Sequence, residues 1–188
     1  MLNEPFSLLP QTAVKKLTFC DEEIIFRMGD RSKAIYFLDK GEVHLQRYTE
    51  TGNLITIHRA FKGEYFAEAS LFSDFYHCDA IAKKPSEILS ISRSDTLALL
   101  QSNAKFALSV TGFLARQVQD YRRLLELRSI RSAKERVFAG IAEGWLKGSI
   151  ISFSGQIGLT HETTYRSLSQ LVQSKRIIKI ARARYQVR

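Results

Sequence analysis

Between Lys105 and Arg128 the chain has no proline and a single glycine, Gly112, so one long helix is expected over about residues 104–128. Within it Leu114, Val118, Tyr121 and Leu125 recur at spacings of four, three and four. That is the seam of a coiled coil, and Arg116, Arg122, Arg123 and Glu126 lie mostly off it. A seam extending past what a small barrel can cover predicts a helix that pairs with its own copy. The alternative is a helix packed on its own barrel. Either way, the long helix separates two kinds of sequence.

Before it, the apolar period is mostly that of strands. Residues 8–18, around Gln11–Leu17, suggest a short leading helix. Strands are then expected at Ile24–Phe26, Ile35–Leu38, Val43–Tyr48, Leu54–His58, Ala80–Ala82 and Ile88–Ile91. Turn signals separate the first of these at Met28-Gly29-Asp30, Asp39-Lys40-Gly41 and Glu50–Asn53, with a further turn at Gly63. Short strands with closely spaced glycine turns indicate a small antiparallel barrel or roll. Ser94-Asp95 can cap a short helix through Leu100.

After the long helix, Ser132-Ala133-Lys134-Glu135 matches a capping box, which implies a hinge near Ser129–Arg131 and a domain boundary between 1–128 and 129–188. The new helix, carrying Val137, Phe138, Ile141, Trp145 and Leu146, is expected to end near Gly148. Ser149–Ile157 reads as a short helix with Phe153 and Ile157 on its apolar face, or equally as a strand. Next come Gly158 for a tight turn, Thr160 as a cap, and a polar helix through Leu168, the way a helix-turn-helix enters its second helix. Leu171 and Val172 continue its buried side. Ile177–Ile180 and Arg184–Val187 are strand-like and would form a wing whose Lys175, Arg176, Lys179, Arg182 and Arg184 face phosphates.

Charge follows the same division. The net charge is +9, yet residues 1–128 hold 17 Lys+Arg against 16 Asp+Glu while residues 129–188 hold 11 against 3. A neutral first part joined to a basic last third suggests a sensing or assembly module attached to a polyanion-binding one. The alternative is a merely solubilising surface. No apolar run is long enough to span a bilayer. Met1–Pro5 shows no secretory pattern, so a cytoplasmic protein with free thiols at Cys20 and Cys78 is expected. The four histidines, His44, His58, His77 and His161, show no metal-ligand or triad spacing, and no enzyme is expected.

Several motifs together resemble the Crp/Fnr family of bacterial transcription regulators. Gly29-Asp30 with Ile35–Val43 resembles that family's first β-roll signature, and Gly63–Phe72 its phosphate cassette. Lys134–Val137 resembles the opening of its DNA-binding domain, and Gly158–Leu168 its recognition helix. The resemblance implies an α+β fold: an N-terminal antiparallel β-roll of the double-stranded β-helix (jelly-roll) type, a long dimerisation helix, and a C-terminal winged helix-turn-helix. It implies double-stranded DNA and a second copy of the chain as partners, with RNA polymerase a further one. The dimer would pair through Leu114, Val118, Tyr121 and Leu125. Thr160, Thr163 and Tyr165 would reach phosphates, while His161, Glu162 and Arg166 occupy the base-reading positions, where many members have Arg, Glu and Arg. An arginine fork suits guanine, and a carboxylate can accept from cytosine.

The resemblance also locates an effector site at Glu68, Ala69, His77 and Cys78. Here the sequence departs from the cyclic-nucleotide pattern: Ala67 stands for a glycine, His77 for the phosphate arginine and Cys78 for a hydroxyl residue. A neutral imidazole does not replace a charged, bidentate guanidinium. Conventional cyclic AMP sensing is therefore not expected, and no cofactor is firmly implied. Haem could use His77 or Cys78, whereas an iron–sulfur cluster needs more cysteines than two. The DNA-binding segment from Arg136 to Gly158 is shorter than the family usually has. Three readings follow: a constitutive dimeric DNA-binding regulator, an effector-gated version of it, or a β-roll interaction module without specific DNA binding.

Overall fold

The computed structural model describes residues 2–146 and 148–188. Its contacts divide the chain into two compact units, Met1–Phe113 and Leu114–Arg188. The division falls inside the long helix, 15 residues before the boundary expected from the capping box at Ser132.

The first unit is a β-roll of two four-stranded antiparallel sheets. Its strands are β1 (Val14–Phe19), β2 (Ile24–Phe26), β3 (Ala34–Lys40), β4 (Glu42–Tyr48), β5 (Leu54–Phe61), β6 (Tyr65–Phe66), β7 (Asp79–Ala82) and β8 (Ser86–Ser92). One sheet runs β1-β8-β3-β6 and the other β2-β7-β4-β5. The β4–β5 hairpin pairs Tyr48 with Leu54 and Glu42 with Phe61. Inward-facing residues such as Leu38, Val43, Phe66, Ala80 and Ile88 share one core. Val43, Ala80 and Ile88 alternate with more exposed neighbours, as sheets buried on one face require.

The leading helix expected over 8–18 is replaced by a 3-10 turn at Gln11–Ala13 followed directly by β1. The open edge of β8 decides this, because it offers main-chain partners from Val14↔Ile91 to Phe19↔Ser86. Lys16 forms an ion pair with Glu87 across that edge at 2.6 Å. The short helix α1 (Arg93–Ser102) also starts earlier than expected: Ser92, not Ser94, is its N-cap and accepts from the Asp95 N–H at 3.3 Å. Helix α2 (Ala104–Ser129) spans the expected stretch. In the first unit it buries Phe106 and Val110, while Phe113 meets Phe6 and Tyr65 edge-on at 5.9 and 5.4 Å.

The second unit holds the end of α2 with α3 (Ala133–Ala142), α4 (Ile150–Gln156), α5 (His161–Gln173) and the hairpin β9 (Ile177–Ala181)–β10 (Arg184–Val187). Leu127 from α2 packs with Val137, Phe153, Ile157, Leu168 and Ile177 in its core. The Ser132 hydroxyl caps α3 through the Glu135 N–H, but the Glu135 carboxylate turns to Arg176 instead of closing the box. Helix α3 stops at Ala142, short of the expected end near Gly148. Gly144 takes φ +75°, and the Trp145 N–H returns to the Gly140 carbonyl at 2.8 Å. This αL stop satisfies the last carbonyls and turns Trp145 and Leu146 onto the core.

Ser149–Ile157, ambiguous from sequence, is helical from Ile150, with Ser149 as N-cap. Its weak propensity is overridden by burial of Ile150, Phe153 and Ser154 on one face. Gly140 on α3 admits this packing, since a Cβ there would lie 2.9 Å from the Phe153 ring. Helix α4 ends as α3 does. Gly158 takes φ +69°, and the Leu159 N–H reaches the Ser154 carbonyl at 2.9 Å.

Candidate nucleic-acid interface and effector cassette

Helix α5 is anchored at its start by Thr160, whose Oγ1 accepts from the Thr163 N–H at 3.2 Å and donates to Thr163 Oγ1 at 2.9 Å. The two threonine hydroxyls expected at phosphates are thus engaged with each other. One face of α5, formed by Thr164, Ser167, Leu168 and Leu171, is buried. Its hydroxyls do not compete for outside partners: Thr164 and Ser167 donate to the carbonyls of Thr160 and Thr163, one turn back. The opposite face carries His161, Glu162, Tyr165 and Arg166, all exposed. Ser169 and Gln170, one turn on from Tyr165 and Arg166, extend that exposed face.

The basic residues after α5 divide into two groups. Lys175 (φ +56°) terminates α5, roughly 20 Å along the helix from His161 at about 1.5 Å per residue. Arg176 is not a free cation. Its guanidinium pairs with both Glu135 oxygens, one at 2.9 Å, and lies 3.9 Å over the Phe138 ring. The Arg176 hydrogen bond holds the Glu135 carboxyl below its ordinary range. Arg176 therefore fixes the base of the wing to α3. Lys179, Arg182 and Arg184 are exposed on the β9–β10 hairpin, with Arg182 at its turn.

The seam residues also lie in this unit. Val118, Tyr121 and Leu125 are 49%, 48% and 66% exposed, while Leu114 is half-buried. One and two positions from Leu125, Leu124 and Leu127 face the core instead. The end of α2 thus has a buried apolar stripe and a more exposed one.

In the first unit the cassette follows β6. Ala67 adopts φ +61°, a left-handed conformation that costs an L-residue about 1–2 kcal/mol and accounts for the glycine usual at this place in the cyclic-nucleotide pattern. A 3-10 turn, Glu68–Phe72, places Glu68 half-buried and Ala69 exposed. The Ser32 hydroxyl and Arg93 Nε donate to the Ser70 and Leu71 carbonyls at 2.8 and 2.9 Å. His77 is exposed, but Cys78 is buried in the roll core, where desolvation pushes its thiol up to about 11. The adjacent pair therefore points two ways and offers no joint ligand set.

Beside Cys78 the core contains a stack of rings. Tyr76 lies 3.8 Å from Phe26, and Tyr36 lies 5.1 Å from Phe66. The Tyr76 hydroxyl donates to the Ala34 carbonyl at 2.8 Å and accepts from the Ala34 N–H at 3.1 Å. Burial, with the Tyr76 hydroxyl 3.3 Å away, pushes the Tyr36 phenol above its ordinary value.

A roll with this cassette, a long helix and a winged helix-turn-helix define the class of protein. The family model for the cyclic nucleotide-binding domain matches residues 16–103. The cyclic AMP receptor protein of Thermus thermophilus is 32% identical over 114 residues, covering 60% of this chain and 53% of that protein. This match thus spans about half the length of that relative. A global nitrogen regulator from Nostoc sp. is 28% identical over 179 residues, 85% of this chain and 79% of that one. Among solved structures, FixK2 from Bradyrhizobium japonicum superposes with a TM-score of 0.70 at 19% identity, covering 93% of this chain and 92% of that one. The chain thus shares its fold with regulators of this kind and is similar in sequence to a cyclic AMP receptor protein and a global nitrogen regulator. No helix among the described residues is long and apolar enough to cross a membrane.

Proposed function

We propose that the chain is a homodimeric, sequence-specific DNA-binding transcription regulator that acts in the cytoplasm and is not a conventional cyclic AMP sensor. The observation that carries this reading is α5. Its buried face is fixed to the core, and its outer face presents His161, Glu162, Tyr165 and Arg166 beside an exposed basic hairpin. Arg166 addresses a guanine through its fork, Glu162 accepts from a cytosine amine, and His161 offers a single ring nitrogen where many relatives place an arginine. Lys179, Arg182 and Arg184 supply phosphate contacts that orient without specifying. The stripe of Val118, Tyr121 and Leu125 pairs with its copy, placing two α5 helices in successive major grooves.

Arg166→Ala is expected to cost about 1–3 kcal/mol on the preferred site and to relax preference at one base pair. An unchanged specificity profile in a binding-site selection would remove α5 as the reader.

A second reading is favoured by the match of residues 16–103 to the cyclic nucleotide-binding domain: the roll is still gated by an effector beside Glu68. A ligand at 100 times its Kd stabilises by about 2.7 kcal/mol. With cyclic AMP and cyclic GMP at millimolar concentration the leading reading expects no thermal shift. A dose-dependent rise in Tm would establish the gated form instead.

A further inference from the structure

We infer that Arg128 and Arg136 are positioning residues for the half-site spacing of the DNA site, because they bind the end of the seam helix to the turn that launches α5. This inference rests on the DNA-binding reading above. The αL stop at Gly158 returns only the Ser154 and Gly155 carbonyls of α4 to the main chain. Gln156, Ile157 and Gly158 present further carbonyls at the negative end of the helix, where a cation is favoured. Two guanidinium groups take them. Arg128, in the last turn of α2, donates from Nε to the Gln156 carbonyl at 2.9 Å and from Nη2 to Gly155 at 3.3 Å. Arg136, in the first turns of α3, donates from Nη1 to the Ile157 and Gly158 carbonyls, both at 3.3 Å. Its Nε and Nη2 hold the Ile130 carbonyl at 2.9 and 2.6 Å, in the link between α2 and α3.

The link expected to hinge at Ser129–Arg131 is therefore clamped. Two residues separate Arg128 from Leu125 of the seam, and two separate Gly158 from the first residue of α5. Every step between the seam and the recognition helix lies within the second unit. One base pair of extra spacing rotates a half-site by about 35° and moves it about 3.4 Å. Only a reader held rigidly to the two-fold seam can reject that change. An arginine fork spanning two carbonyls supplies this rigidity, and a lysine point charge does not.

The test uses the full chain and a library of paired half-sites with the gap varied one base pair at a time. The variants are Arg128→Gln, Arg128→Lys and Arg136→Gln, with Arg131→Gln as control and circular dichroism and sedimentation verifying fold and dimer. Wild type and control should prefer one spacing over its neighbours by about tenfold, and the clamp variants by about threefold or less, with the base preference inside each half-site retained. Arg128 is exposed, so its variants keep the proposal testable if Arg136→Gln fails to fold. An unchanged spacing profile in folded Arg128→Gln overturns the clamp, as does a wild type that reads half-site sequence but ignores spacing. A wild type with no sequence preference at all overturns the DNA-binding reading itself.

Discussion

The two units place their chemistry-bearing side chains on opposite sides of their surfaces. The roll turns Tyr36, Tyr76 and Cys78 inward, where rings stack and the Tyr76 hydroxyl bonds to the main chain of Ala34. The C-terminal unit turns His161, Glu162, Arg166, Lys179 and Arg182 outward, and its buried hydroxyls on α5 are engaged with their own helix. A side chain held by its own core contributes to stability, whereas one left at the surface is available to a partner. The comparison predicts that substitutions in the roll change folding and that substitutions on α5 change recognition.

The strongest challenge to that division is Phe66→Ala. Phe66 is 1% exposed and stacks on Tyr36, so its loss should cost about 3–5 kcal/mol in urea unfolding. The half-site preference of the remaining folded protein should not change. A shifted preference would show that the roll interior participates in reading DNA. Next comes Leu125→Glu, which places a charge in the exposed stripe. Dimer affinity measured by sedimentation is expected to fall about thirtyfold, or about 2 kcal/mol. Monomer stability should be unaffected, because Leu125 is 66% exposed. An unaltered dimer would place the pairing surface elsewhere.

The smallest effect concerns the thiols. Burial raises the Cys78 thiol to about 11, so the folded protein disfavours its thiolate. Below the unfolded thiol's value near pH 9 this group makes no pH-dependent difference, and stability is lost as pH rises from there toward 11. At pH 8 iodoacetamide should label exposed Cys20 within minutes, and Cys78 only when urea opens the roll. Labelling of both at equal rates in the folded protein would contradict the buried placement and reopen Cys78 as a sensor residue.

Alternation and turn chemistry in the sequence were enough to locate β2, β3, β4, β5, β7 and β8, because each follows from residues within a few positions. The caps at Ser132 and Thr160 were legible for the same reason. Lys15–Leu17 misled because a strand on an open edge is selected by its partner β8, some 70 residues away, and not by its own pattern. The early end of α3 followed from a glycine stop at Gly144 that competes with an apolar pattern running on through Trp145. On α5, the spacing of polar residues was readable in advance. That Arg176 is committed to Glu135 and Phe138 was not, since its sequence context matches that of the exposed wing cations.

The sequence by itself determined the two kinds of secondary structure, the long helix between them and the charge of the last third, all of which follow from local pattern and composition. Tertiary structure alone decided which cations and thiols are occupied. Arg128 is engaged with the last carbonyls of α4, Arg136 with those of Ile130, Ile157 and Gly158, Arg176 with Glu135, and Cys78 with the roll core. A side chain's availability depends on which groups the folded chain brings within hydrogen-bonding distance, and for Arg176 that group lies 41 positions away in sequence.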